Sequence, residues 1–244
     1  MKQFTLTTFI LLLSTTISIA QMDVSEKAQL VYNTHNDQFF VLDDSTYYFT
    51  QKPGSKRWVK HAYVYAGDQS FDKVMQMTRV LAMSKDRYYF VHESCGNVYE
   101  LYQDTLKRID QSFPHQNQFG SAMSAWNGSV YMFGGYGFFQ VKNVFTRYVP
   151  QVKEWFEVQI KSKDAPSSRS APIFFVEGNA FYVLGGMNRN HLNDEFLSDC
   201  WKYDFRKKRW EKLGEIHELL HKDFKSLYLD MNLPNGVMRM SNRL

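Results

Sequence analysis

The sequence predicts an all-β fold built of repeated four-stranded sheets, and three observations carry that expectation. Aromatic residues make up 16% of the 244-residue chain, and with many Val, Ile and Thr they favour strands over helices. Two stretches about fifty residues apart share a set of landmark residues in the same order, the second with a longer loop, the signature of a repeat architecture. In both, a strongly β-prone run closes on paired glycines, Gly134-Gly135 and Gly185-Gly186.

The chain opens MKQFTLTTFILLLSTTISIAQ. Lys2 is followed by an apolar stretch centred on Phe9 to Leu13, then by Ser18 and Ala20 at the spacing a signal peptidase accepts. Residues 1–20 therefore read as a signal peptide, with the mature chain starting at Gln21. The apolar run is cut by Thr7, Thr8, Ser14, Thr15 and Thr16 and is short for a membrane span of about 20 apolar residues. No cysteine follows Ala20 to carry a lipid, and no later stretch is hydrophobic enough to cross a bilayer. A secreted or periplasmic product with no transmembrane segment is expected.

The remaining length suits one or two domains. A net charge of +4 with scattered basic residues gives no footprint for nucleic acid, which needs a clustered basic face. Arg206-Lys207-Lys208-Arg209 falls where a hairpin turn is expected and reads as a solvated turn. Cys95 and Cys200 fall in non-neighbouring repeats, so no disulfide is expected, because cysteines with Cα atoms more than about 7 Å apart cannot pair.

Four units follow in order. Residues 30–66 contain QFFVLDD, STYYFT and a turn at Pro53-Gly54 before Lys56 to Val59. Residues 79–110 contain Arg87 to His92, a turn near Cys95-Gly96, Asn97 to Tyr102, a break at Asp104, and Leu106 to Ile109; the paired glycines and the Trp are missing. Residues 116–158 and 170–213 are the clear copies. They align through Ser121 with Ser170, the paired glycines, Tyr148 with Tyr203, and Trp155 with Trp210, the Tyr-to-Trp interval being seven residues in both. Each resolves into four short strands. The glycines permit close approach or positive φ, and Tyr and Trp face one another across a hairpin, where they can wedge between adjacent sheets.

This pattern resembles the kelch repeat, whose unit is one four-stranded blade of a β-propeller. The resemblance is strong over residues 116–214 and decays upstream. It implies a kelch-type β-propeller or partial propeller over 21–214, with about four four-stranded blades, two clear and two degenerate. Four blades lie at the lower limit of the general range of about four to eight; an open fan would expose apolar surface and self-associate. The galactose-oxidase-like kelch proteins raise the question of copper, but His35, His61, His92, His115, His191, His217 and His221 are scattered, and no cofactor is expected.

Residues 215–244 read as a helical tail and closing strand. Ile216, Leu220, Phe224 and Leu227 form an amphipathic stripe over about 215–228. Within it, His217-Glu218-Leu219-Leu220-His221 has the letters of a zinc-protease motif, since histidines four apart share a helix face. A catalytic zinc needs a third protein ligand, and none follows His221 at a usable spacing, so the pair reads as incidental surface histidines and no metal site is assigned. Leu233-Pro234-Asn235-Gly236 is a turn signal, and VMRMS beyond it reads as a strand able to close the ring.

Two loops are the candidate binding elements. Residues 136–141 present Tyr136, Phe138 and Phe139; residues 187–196 present Asn188, Arg189, Asn190 and His191 among amide, cationic and acidic groups. If they share one face they form an amphipathic patch suited to a protein or glycan. Asn127-Gly128-Ser129 is a glycosylation sequon. No Ser-His-Asp signature or phosphate loop is present, and no catalytic residue is assigned. The expected function is a protein- or carbohydrate-binding module; the resemblance also implies a sugar-active enzyme such as a periplasmic mutarotase as the alternative, although no catalytic Glu and Arg pair matches.

Overall fold

The computed structural model describes residues 28–43, 47–67, 78–93, 95–111, 117–190 and 193–216. The expected signal peptide, His115, His191, and the tail from His217 onward with its HELLH stretch and expected helix lie outside the described residues.

Short apolar and aromatic runs give strands, those in the middle of blades 2 and 3 buried on both faces, and these assemble into four blades. Blade 1 holds β1(Gln29–Asn33), β2(Gln38–Leu42), β3(Tyr47–Gln51) and β4(Val59–Ala62) in chain order. The chain then crosses directly to the neighbouring sheet. There β5(Val64–Ala66) runs parallel to the outermost strand of blade 2, which holds β6(Thr78–Ala82), β7(Tyr88–His92), β8(Val98–Tyr102) and β9(Thr105–Arg108). Blade 2 is thus a five-stranded sheet, and Val64 to Ala66, read above as the end of the first unit, belong to it.

Blade 3 pairs β10(Ala122–Trp126), β11(Ser129–Phe133), β14(Phe145–Val149) and β15(Glu154–Glu157). Between β11 and β14 stands a small hairpin of β12(Tyr136–Gly137) and β13(Gln140–Val141). Blade 4 holds β16(Ile173–Glu177), β17(Ala180–Asn190), β18(Asn193–Asp204) and β19(Arg209–Glu215). Glu215 closes the last strand, so the first residue of the expected helix is extended. The loop expected over 187–196 is likewise strand: β17 and β18 continue past a register shift at Leu184/Gly186 as a two-stranded ribbon reaching Asn190 paired with Asn193.

The innermost strands lie side by side in the order β1, β6, β10, β16, and three apolar layers fill the gaps between blades. Phe40, Tyr88, Phe90 and Leu106 join blades 1 and 2. Val91, Met132, Tyr148 and Trp155 join blades 2 and 3. Phe133, Phe145, Phe181, Tyr203 and Trp210 join blades 3 and 4. Each fully buried aromatic contributes roughly 1.5–3 kcal/mol relative to exposure. The two upstream units therefore make complete blades without paired glycines, and blade 2 without a Trp, because aromatic and aliphatic fill suffices to bury their faces.

The landmark pairs occupy equivalent places. Tyr148 faces Trp155 across β14 and β15 with ring centroids 5.6 Å apart at 51°; Tyr203 faces Trp210 across β18 and β19 at 5.2 Å and 56°. All four side chains are buried against the preceding blade. Trp155 Nε1 also donates to the Gly96 carbonyl of blade 2 at 2.7 Å, so the indole pins one blade to the next. Cys95 and Cys200 lie in blades 2 and 4 and form no disulfide.

Candidate functional site

The paired glycines show why the repeat needs them. Gly134 and Gly135 have φ of +73° and +92°, a region that disfavours side chains. A Cβ on Gly134 would lie 2.4 Å from the Arg169 carbonyl oxygen, and one on Gly135 2.6 Å from the Gln118 backbone. The segments leading into β10 and β16 thus cross directly over the backbone that leaves β11. Gly135 N–H donates to the Arg169 carbonyl at 2.7 Å, and Gln118, almost wholly buried, donates through Nε2 to the Gly134 carbonyl at 2.9 Å and accepts from Thr146 Oγ1 at 3.2 Å.

The largest fully buried side chain among the described residues is Arg169. Its guanidinium grips Asp199 through two bonds of 2.7 and 2.9 Å and donates to the Gly185 carbonyl at 2.9 Å. Trp201 Nε1 donates to the same carboxylate at 2.6 Å. Burial pushes the Asp199 carboxyl up, but the bonds from Arg169 and Trp201 outweigh it and hold it below the usual carboxylate range. A depressed folded-state pKa contributes stability that is present above the unfolded value of about 3.9 and is lost as pH falls through the folded value. The urea midpoint should therefore drop as pH falls from about 5 down through the folded value, and Asp199→Asn should flatten that part of the drop; an unchanged acid limb in the variant would contradict the assignment.

On this floor stands the β12–β13 hairpin. Tyr136 exchanges backbone bonds with Phe119 at 3.0 and 2.8 Å, and Lys142 Nζ donates to the Asn117 carbonyl at 2.8 Å. Gly137 rests so close to Asn117 that a Cβ would lie 2.2 Å from its carbonyl oxygen. The hairpin is therefore docked along its base. Its two-residue tip is Phe138-Phe139, with φ of +53° and +64°. Two positive φ values in a two-residue hairpin define the type I′ turn, which favours Asn-Gly or Asp-Gly.

The same blade follows the rule elsewhere: the β10–β11 turn is Asn127-Gly128, with φ of +46° and +72°. At Phe138-Phe139 an aromatic pair takes the conformation instead, at a cost of roughly 1–2 kcal/mol per residue. The two rings are 61% and 92% exposed, so intramolecular burial does not repay the strain. Lys142 Nζ sits 5.2 Å from the centre of the Phe138 ring, and partial burial pushes its ammonium pKa down.

The blade 4 ribbon emerges beside the hairpin, since both connect the second and third strands of their blades and β13 lies against β17. At its base Met187 is buried and exchanges backbone bonds with Ser170 at 2.8 and 2.9 Å. Further out, Asn188 pairs with Glu195, and Arg189 Nε donates to exposed Asp194 at 2.8 Å, which holds that carboxyl low. Tyr136, Phe138, Phe139, Asn188 and Arg189 are thus brought to one end of blades 3 and 4. Asn190 is the last residue of β17. Sequence reasoning found these loops but missed the positive φ at the Phe pair, and it missed Arg169, four residues before β16, and Asp199, within β18, whose pairing across thirty residues has no local signal.

Among the described residues no group of three or more His, Cys, Asp or Glu side chains could hold a metal ion, and no helix is long and apolar enough to cross a membrane.

Four stacked sheets, the last two with glycines under the crossing segments and a Tyr-Trp wedge against the sheet before, define a β-propeller arrangement of four blades. Residues 178–215, covering β17 to β19, match the Kelch motif. One similar solved structure, that of YjhT, shares 20% identity at a TM-score of 0.48, the alignment covering 57% of this chain and 51% of that one. The likeness thus spans about half of YjhT. Comparison with curated proteins gave no match.

Proposed function

We propose that this kelch-type chain is an exported binding module whose recognition element is the Phe138-Phe139 tip flanked by the blade 4 ribbon, and that its ligand is a protein surface with an apolar pocket. The carrying observation is the pair of exposed phenylalanines held in a strained turn on a rigid base. Backbone strain kept where the fold gains nothing from it points to a role for the side chains. A pre-set turn loses little conformational freedom on binding, and aromatic anchors entering a pocket supply most of the energy in such contacts. Arg189, Asp194 and Glu195 supply a charged rim beside the anchor, the arrangement expected around an apolar centre.

Export rests on the N-terminal sequence, and a soluble exported module is consistent with it. The outer faces of blades 1 and 4 leave Leu30, Tyr32, Phe175 and Leu213 between 45% and 66% exposed, which supports self-association as a second mode of contact. The alternative of a sugar-active enzyme gains no support at the hairpin, where the one charged group against the rings is the Lys142 ammonium beside Phe138.

The test uses the variant F138N/F139G, which keeps the turn and removes the rings. Peptides selected from a random display library on the native protein should lose at least tenfold in affinity for the variant, measured by surface plasmon resonance. Equal binding to both would show that recognition lies elsewhere.

A further inference from the structure

Each blade turns one face to the blade before it and the other to the blade after it. In blade 3 the preceding face carries Met123, Met132, Tyr148 and Trp155, packed on blade 2, and the following face carries Tyr131, Phe133 and Phe145, packed on blade 4. The preceding face of blade 1 and the following face of blade 4 have no blade against them among the described residues.

These open faces repeat the pattern of the closed ones. The strand registers put Leu30 of blade 1 where Met123 stands in blade 3, and Phe39 and Val41 where Val130 and Met132 stand. Met123 is 1% exposed and Leu30 66%. Likewise Tyr182, Leu184 and Cys200 of blade 4 take the places of Tyr131, Phe133 and Phe145. The blade 3 set is buried, the blade 4 set only half-buried. Phe175, stacked on Tyr182 with ring centroids 4.6 Å apart, is exposed on the same face. Contiguous exposed apolar surface of this kind marks an interaction site.

The two faces also match in direction. In each stacked pair the innermost strands lie side by side, so rows of residues running from inner to outer strand meet in the same order. Across blade 1 one row is Leu30, Val41, Phe49 and Lys60; across blade 4 one is Phe175, Tyr182, Lys202 and Glu211. Both begin apolar and end charged. The Lys60 ammonium lies over the Tyr47 ring at 3.5 Å, and Glu211, bonded to Lys202 at 3.0 Å, keeps 61% of its side chain exposed. Face on face, the apolar ends meet and the outermost charges are opposite, the pattern of an apolar centre within a polar rim. In all three junctions within the chain, what covers such a face is the complementary face of another blade, and the chain offers one of each kind.

We infer that two copies of this chain associate head to tail, the open face of blade 1 in one copy packing on the open face of blade 4 in the other. Joined at both contacts, two four-bladed halves close one ring at the upper end of the propeller range of about four to eight blades. A head-to-tail contact that closes leaves no free face, whereas one that does not close grows into a filament. This arrangement rests on the self-association proposed above and gives it a geometry.

Sedimentation velocity on the full chain at about 1 to 100 µM should give one species of twice the mass of a single chain. Leu30→Glu and Phe175→Glu, at side chains exposed in the single copy, should each weaken association by about tenfold or more, since either puts an unpaired charge into both contacts. Mixed in equal amounts at the highest concentration, the two variants should form a dimer through the one contact that carries neither substitution, the blade 1 face of F175E on the blade 4 face of L30E. F138N/F139G should leave the native dimer intact. Near-UV circular dichroism establishes that each variant is folded. A native chain that stays monomeric, its faces covered by other residues of the chain or by a different protein, overturns both the ring and the self-association. A dimer that survives both Glu variants, a mixture that stays monomeric, or a native species that keeps growing with concentration overturns the head-to-tail ring alone.

Discussion

Arg169→Ala is expected to lower the unfolding free energy by about 3–5 kcal/mol, the range for removing one partner of a buried ion pair. The size of the effect follows from what is left behind. Asp199 keeps only 16% of its side chain exposed, and without the guanidinium its charge retains a single bond from Trp201. The Gly185 carbonyl also loses its donor, just where β17 leaves the blade through positive-φ glycines. Arg169→Lys should recover little, since one ammonium group cannot reproduce two parallel bonds to a carboxylate together with a third to a carbonyl. Urea unfolding of the two variants measures this, and a loss under about 1 kcal/mol for Arg169→Ala would show that the network is incidental to the blade 3–blade 4 junction.

The second large effect concerns the wedges. Trp155→Ala and Trp210→Ala should each cost about 3–5 kcal/mol, as for other aromatic truncations in packed cores. Conservative changes separate the two sites. Trp155→Phe also strands the Gly96 carbonyl, which the indole N–H satisfies, whereas Trp210 Nε1 has no acceptor among the described residues. Trp155→Phe should therefore be the more damaging by about 1 kcal/mol, the net worth of a typical hydrogen bond. Equal losses in denaturant melts would mean that the indole N–H does not couple blade 2 to blade 3.

The blades were legible because their signal is local and periodic. Tyr148 and Trp155, or Tyr203 and Trp210, meet across a tight hairpin, so a seven-residue interval in sequence becomes a cross-strand pair in space. The degenerate units were readable for a related reason: Tyr88 to His92 and Val98 to Tyr102 are short aromatic and β-branched runs bounded by turn residues, enough to mark buried strands without any motif.

What escaped depends on contacts between distant segments. Val64 to Ala66 read as the end of one unit, yet their partner is β9, some forty residues on, and nothing in their own pattern chooses between the two sheets. Residues 187–196 read as a loop because they are polar; two strands that project into solvent have no apolar face to announce them. The candidate site was half visible. Phe138 and Phe139 stood out as aromatics next to glycines, but their left-handed conformation did not, because a Phe pair is not among the residues this turn favours.

That the Phe pair serves recognition and not the fold is decided by the thermal and urea unfolding of F138N/F139G. Asn-Gly is the favoured pair for this turn, and the native rings bury little, so the variant is predicted to be more stable than the native protein by about 1–2 kcal/mol. A variant less stable than the native protein would contradict the account, because the phenylalanines would then be holding the blade together.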